Sequence, residues 1–134
     1  MTRTVARCLT LLLGTALGAA ACGTDSASTS MGDLSPAARL GLEEAQHAGC
    51  AGCHGLDFTG GVAPALVGLA GATVELDDGS TVVADRAYLT ESIVAPGAKR
   101  VQGATLQMPT VSLSDEQVGQ IVDWLLAVGL DASP

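Results

Sequence analysis

Apolar positions keep a helical spacing most clearly near the C-terminus, where Val118, Ile121, Val122 and Leu125 fall on one face and Trp124 widens it. Ser114 and Gln117 read as a capping box ahead of that run. Asp115 and Glu116 suit the positive end of a helix, and Gly129 predicts its stop. A weaker stripe of small groups, Ala38, Gly41, Leu42 and Ala45, predicts an earlier helix. It starts at Ser35-Pro36, an N-cap followed by a first-turn proline, and ends near Gly49. Arg86 to Val94 predicts a further helix that ends before Pro96. Glycines and Pro64 between Gly55 and Gly71 predict irregular loop. Val74 to Leu76 and Thr81 to Val83 flank Asp77-Asp78-Gly79-Ser80, which predicts a short hairpin. The expected fold class is all-α: about three main helices and one hairpin in a unit spanning 35–130, with 131–134 as a tail.

The first residues have a different pattern. Arg3 and Arg7 form a short basic region, and Leu9 to Leu17 supply an apolar stretch too short to span a bilayer. Ala19 to Ala21 then lead to Cys22, so 1–21 reads as an export signal removed from the mature protein. Small residues directly before a cysteine resemble the lipobox of bacterial lipoproteins, with Ala19 where that family usually has leucine. The resemblance implies acylation of Cys22, an extracytoplasmic location and a membrane anchor made of lipid. Ordinary cleavage after Ala21 is the alternative and leaves a free thiol. Residues 22–34 are rich in Ser, Thr, Ala and Gly, the composition of a flexible tether.

Charge narrows the partners. Arg3 and Arg7 leave with the signal, so only Arg39, Arg86, Lys99 and Arg100 remain against all 14 acidic residues. Such a surface repels nucleic acid and favours a basic or mainly apolar docking partner. The core is thin as well. Phe58, Tyr88 and Trp124 are the only aromatic residues, too few large side chains for a stable small domain without an added group.

The pentapeptide Cys50-Ala51-Gly52-Cys53-His54 supplies that group. Two thiols three positions apart can each add to a vinyl group on one porphyrin, and the adjacent histidine then falls beneath the iron. Cysteine usage closes on this reading: Cys8 leaves with the signal, Cys22 takes lipid, and Cys50 and Cys53 take haem. Zinc is poorly served, since only His54 and His47 could join the two thiols where four ligands are wanted. A second axial ligand must come from far along the chain. Met108, followed by Pro109 in a Gly/Pro-bearing loop, is the candidate, with His47 and Met31 as rivals.

On these residues the chain resembles the monohaem class I cytochromes c. Cys50 to His54, the run P-A-L-V-G-L-A-G from Pro64 to Gly71, Q-M-P from Gln107 to Pro109 and a final amphipathic helix occur in that family's order. Asp77 to Ile93, followed by Pro96, is most similar to the cytochrome c domain fused to subunit II of some haem–copper oxidases. The resemblance implies helices wrapped around one covalently bound haem c, with His54 and Met108 on the iron. It implies that the Pro64 carbonyl receives the His54 ring proton, that Leu66 and Leu69 line the crevice, and that Gly41 and Trp124 meet where the first and last helices cross. It also expects an arginine after Gly71 near a haem propionate. Ala72 stands there, leaving Arg86, Lys99 or Arg100 as substitutes.

Two axial ligands leave no open coordination position, so the expectation is an electron carrier rather than an enzyme, with redox proteins of the respiratory chain as partners and no small-molecule substrate. A dedicated haem subunit of one dehydrogenase or oxidase complex is a second reading. A gas or redox sensor in which Met108 is displaced is a third, and a thiol oxidoreductase using Cys50 and Cys53 a fourth.

Overall fold

The structure, a computed structural model, describes residues 34–129. The signal, Cys22, Met31, nearly all of the tether and the C-terminal tail lie outside the described residues. In chain order the elements are α1 (Pro36–His47), α2 (Ala51–His54), β1 (Thr73–Glu75), β2 (Thr81–Val83), α3 (Arg86–Val94) and α4 (Asp115–Gly129). None of these helices is long and apolar enough to cross a membrane.

α1, α3 and α4 each begin where a side chain can satisfy free backbone N–H groups, whereas α2 has no side-chain cap. Ser35 Oγ accepts from Ala38 N at 3.2 Å, and Asp85 Oδ1 accepts from Tyr88 N at 2.8 Å. At α4 the capping box is reciprocal: Ser114 N donates to Gln117 Oε1 (3.0 Å) and Gln117 N to Ser114 Oγ (3.3 Å). Gly49, at φ +80°, turns the chain out of α1 and straight into α2. That single-turn helix was not evident in the apolar pattern, because four residues carry no periodicity.

β1 and β2 pair antiparallel with Val74 opposite Val82, one residue earlier on the first strand than the apolar pattern suggests. Leu76 instead bridges to Val101, tying the hairpin to the segment after α3.

The core lies where α1 crosses α4. Gly41 meets the α4 backbone so closely that a Cβ there would stand 1.9 Å from Gln120 O and 2.7 Å from Trp124 Cβ. The small Ala45, fully buried, sits on the same face of α1. Phe58 packs edge-on against Trp124 with ring centroids 4.7 Å apart. The indole N–H is buried with no hydrogen-bond partner among the described residues, a cost of about 1–3 kcal/mol that the packing of the ring offsets.

Gly129 stands at the end of α4, as expected, and has a second role. It is the last residue of α4 and buried, and a Cβ there would lie 2.3 Å from Ala70 Cβ. The position needs glycine because two segments touch, and a positive φ plays no part.

Candidate cofactor site

Cys50, Cys53 and His54 are brought together by one turn of helix. Residues separated by three and four positions share a helix face. Cys53 N and His54 N both donate to Cys50 O, at 3.2 and 3.0 Å. Cys50 is half-buried and Cys53 exposed, and no disulfide joins them. Burial pushes the Cys50 thiol above the usual cysteine range; its own backbone hydrogen bond opposes this, and the charge of Cys53 adds to it.

The chain then reverses at Gly55, at φ +90°, where a Cβ would lie 2.5 Å from Gly60 O. Gly60 N donates to His54 O (2.9 Å) and Ala63 N to Cys53 O (3.0 Å), lacing the following loop to α2. Phe58 holds φ +60° in this loop. Its carbonyl accepts from Leu66 N and Val67 N while its ring reaches Trp124. This fold places the Pro64 carbonyl 2.7 Å from His54 Nδ1. A carbonyl only accepts, so Nδ1 carries the proton and Nε2 keeps the lone pair that a metal would use.

A cavity of about 730 Å³ opens beside this turn, and Cys50, Cys53 and His54 are part of its wall. Pro64, Leu66 and Leu69 line it from the loop, and Leu89, Ile93, Ile121 and Leu125 from α3 and α4. Met108 lines it from the segment between α3 and α4. That segment is held in part by Arg100. Its guanidinium donates to Gln107 Oε1 and Ala104 O, each at 3.4 Å, and lies 3.5 Å from Asp77 Oδ2. Sequence reasoning missed this role, which depends on the Leu76–Val101 bridge.

The size is that of a cofactor pocket and the lining is largely apolar. It therefore fits a flat apolar ring attached through two sulfurs and ligated by nitrogen and thioether. His47 lies exposed at the end of α1 and is not in the cavity wall. Of the three cations considered beside a propionate, Arg86 is held by Asp123 at 2.6 Å and lies outside the cavity. Lys99, paired with Glu91, and Arg100 both line it, as does Ala72. A broad, shallow groove of about 990 Å³ runs along β2 and α3; Arg86 and Lys99 line it, and none of the predicted thioether, ligand or crevice residues does.

Residues 39–129 match the family model described as Cytochrome c. A comparison with curated proteins finds none that matches.

Proposed function

The chain belongs to the cytochrome c family; from that membership, and from the lipobox-like run before Cys22, we propose that it is a membrane-tethered electron carrier of a respiratory chain. Its cofactor is one covalently attached haem c, and the family's function is electron transfer. When bound, haem iron supplies a one-electron couple. Everything else is the work of this chain's residues. Cys50 and Cys53 form the two thioether links, His54 Nε2 and Met108 Sδ ligate the iron, and Leu66 and Leu69 pack on the ring. The observation that carries this assignment is the 2.7 Å His54–Pro64 hydrogen bond in a cavity that Met108 also lines. It fixes the imidazole tautomer and orientation that ligation needs. Thioether ligation favours ferrous iron and a raised potential.

The tether is the second part of the proposal. Acylation at Cys22 anchors the mature protein on the extracytoplasmic side, and 22–34 lets the domain reach membrane partners at high local concentration. The cytochrome accepts electrons from a dehydrogenase or quinol-oxidising complex and delivers them to an oxidase or reductase.

Two variants test these assignments separately. Met108→Ala keeps the haem but lowers its potential by about 0.1 V or more, within the roughly 0.8 V that axial ligands command. The reduced variant also gains rapid carbon monoxide binding. An unchanged potential removes Met108 from the iron. Cys22→Ser is expected to abolish labelled palmitate incorporation and to release the cytochrome from membranes; retention of both label and membrane association rules out that anchor.

A further inference from the structure

Residues 95–114 join α3 to α4 with no helix and no strand beyond the bridge residue Val101. Irregular connections of this length in a compact domain usually carry function. The first part is well tied. Asp77 N donates to Arg100 O and Gln102 N to Glu75 O, each at 2.9 Å, on either side of the Leu76–Val101 bridge. The hairpin is therefore the footing of the segment. At the far end Val111 and Leu113 pack against the core. Met108 lies between these two anchorages, where the ties run out. Among the described residues, Thr105 to Leu113 make no backbone–backbone hydrogen bond.

Arg100 spans that gap. Its Nη1 donates to Gln107 Oε1 and its Nη2 to Ala104 O, both at 3.4 Å, while Nε faces Asp77 Oδ2 at 3.5 Å. Gln107 has little room to turn away, because its Nε2 stands 3.0 Å from where a Cβ on Gly97 would be. Pro109 limits Met108 from the other side, since the residue before a proline is held to extended backbone. Each contact of Arg100 is long for a hydrogen bond, and a lone exposed ion pair contributes little. One planar guanidinium meeting acceptors on three stretches of chain does more, because its rigid fork fixes their relative positions. Lys99, the neighbouring cation on the cavity wall, reaches back to Glu91 of α3 instead.

We propose that Arg100 is a positioning residue for Met108: its guanidinium ties the methionine segment to the β1–β2 hairpin and so keeps the thioether on the iron. This rests on the reading of Met108 as a ligand and names the residue that holds it there.

Carbon monoxide binds the reduced holoprotein only when the sixth position opens, so its rate reads the fraction of molecules in which Met108 has left. Arg100→Gln is expected to bind it about tenfold faster, through the loss of hydrogen bonds from a charged donor. The ferric variant should also lose the far-red band at a lower temperature than the native protein, before far-UV dichroism reports unfolding. Arg100→Lys keeps the charge without the fork and should behave like Arg100→Gln. Lys99→Gln removes the same charge one residue away and should change the rate by less than about twofold. Gln107→Ala should also speed binding, and combining it with Arg100→Gln should add less than the product of the two effects.

A native rate in Arg100→Gln overturns the proposal. Equal acceleration by Lys99→Gln, or native behaviour of Arg100→Lys, overturns it as well, because charge on the cavity wall is then the cause. Loss of the far-red band only together with far-UV dichroism assigns Arg100 to the stability of the whole domain and has the same consequence. Failure of the underlying reading looks different. A native holoprotein that lacks the far-red band, or whose carbon monoxide rate Met108→Ala leaves unchanged, sinks the ligand assignment itself; a native band indifferent to Arg100→Gln sinks only the brace.

Discussion

Gly41→Ala puts the helix crossing under the most severe test. A Cβ at residue 41 meets Gln120 O at 1.9 Å, Gln120 C at 2.6 Å and Trp124 Cβ at 2.7 Å. Two of these atoms are helix backbone and the third is the root of a buried ring, so none can swing aside. Ordinary contact begins at 3.4 Å, which requires α1 and α4 to separate by roughly 1.5 Å. Alanine in a helix gains about 1 kcal/mol over glycine. Against that, overpacking costs about 1–3 kcal/mol. Separation also strains the 2.8 Å bond from Gln117 Nε2 to Glu44 Oε2, worth about 1 kcal/mol, and loosens the seat of Trp124. The net expectation is a loss of about 2 kcal/mol, or roughly 8–16 °C in Tm for a domain of this size. Thermal unfolding of the haem-loaded protein, followed by far-UV dichroism, measures it. Gly119→Ala is the control: it lies in the same α4 with nothing within 4 Å of its added Cβ. It should be neutral or up to about 1 kcal/mol more stable. Equal stability of the two variants would refute the crossing contact.

The Cys50→Ala/Cys53→Ala variant, which cannot tether haem, is expected to lose native near-UV dichroism; a native-like signal would show that the polypeptide core suffices alone. Gly129→Ala should destabilise by about 1–3 kcal/mol through its clash with Ala70, measured by denaturant unfolding, whereas a merely helix-stopping glycine would tolerate the change. Asp78 accepts from Ser80 Oγ and Ser80 N, which hold its carboxyl below the usual aspartate range. Its contribution to stability is therefore fully present above about pH 4 and is lost as the pH falls through the lowered folded-state value. Asp78→Ala should flatten the pH dependence of the unfolding midpoint in that acid window, and an unchanged slope would show that the turn bonds do not persist in solution.

What could be read from residues alone was whatever rests on local chemistry. The Ser114–Gln117 box, the Ser35-Pro36 start and the Arg86–Val94 span need only neighbours a few positions apart. The cysteine–histidine cluster was legible for the same reason, since one helical turn gathers it. Phe58 was not: its burial depends on a left-handed backbone in a loop and on a ring far along the chain. Arg100 was seen as a cation near the cavity, but its hold on Gln107 and Ala104 follows from a loop that composition does not shape. At Gly129 the stop signal was legible, and the close approach to Ala70 behind it was not.

The central claim is that Cys50 and Cys53 carry a haem whose iron lies between His54 and Met108. Optical spectra of the purified protein in both oxidation states test it most directly. The account predicts a c-type spectrum that survives acid–acetone extraction, with the weak far-red band of sulfur-ligated ferric iron. A colourless protein, made alongside a working haem-attachment system, would contradict it.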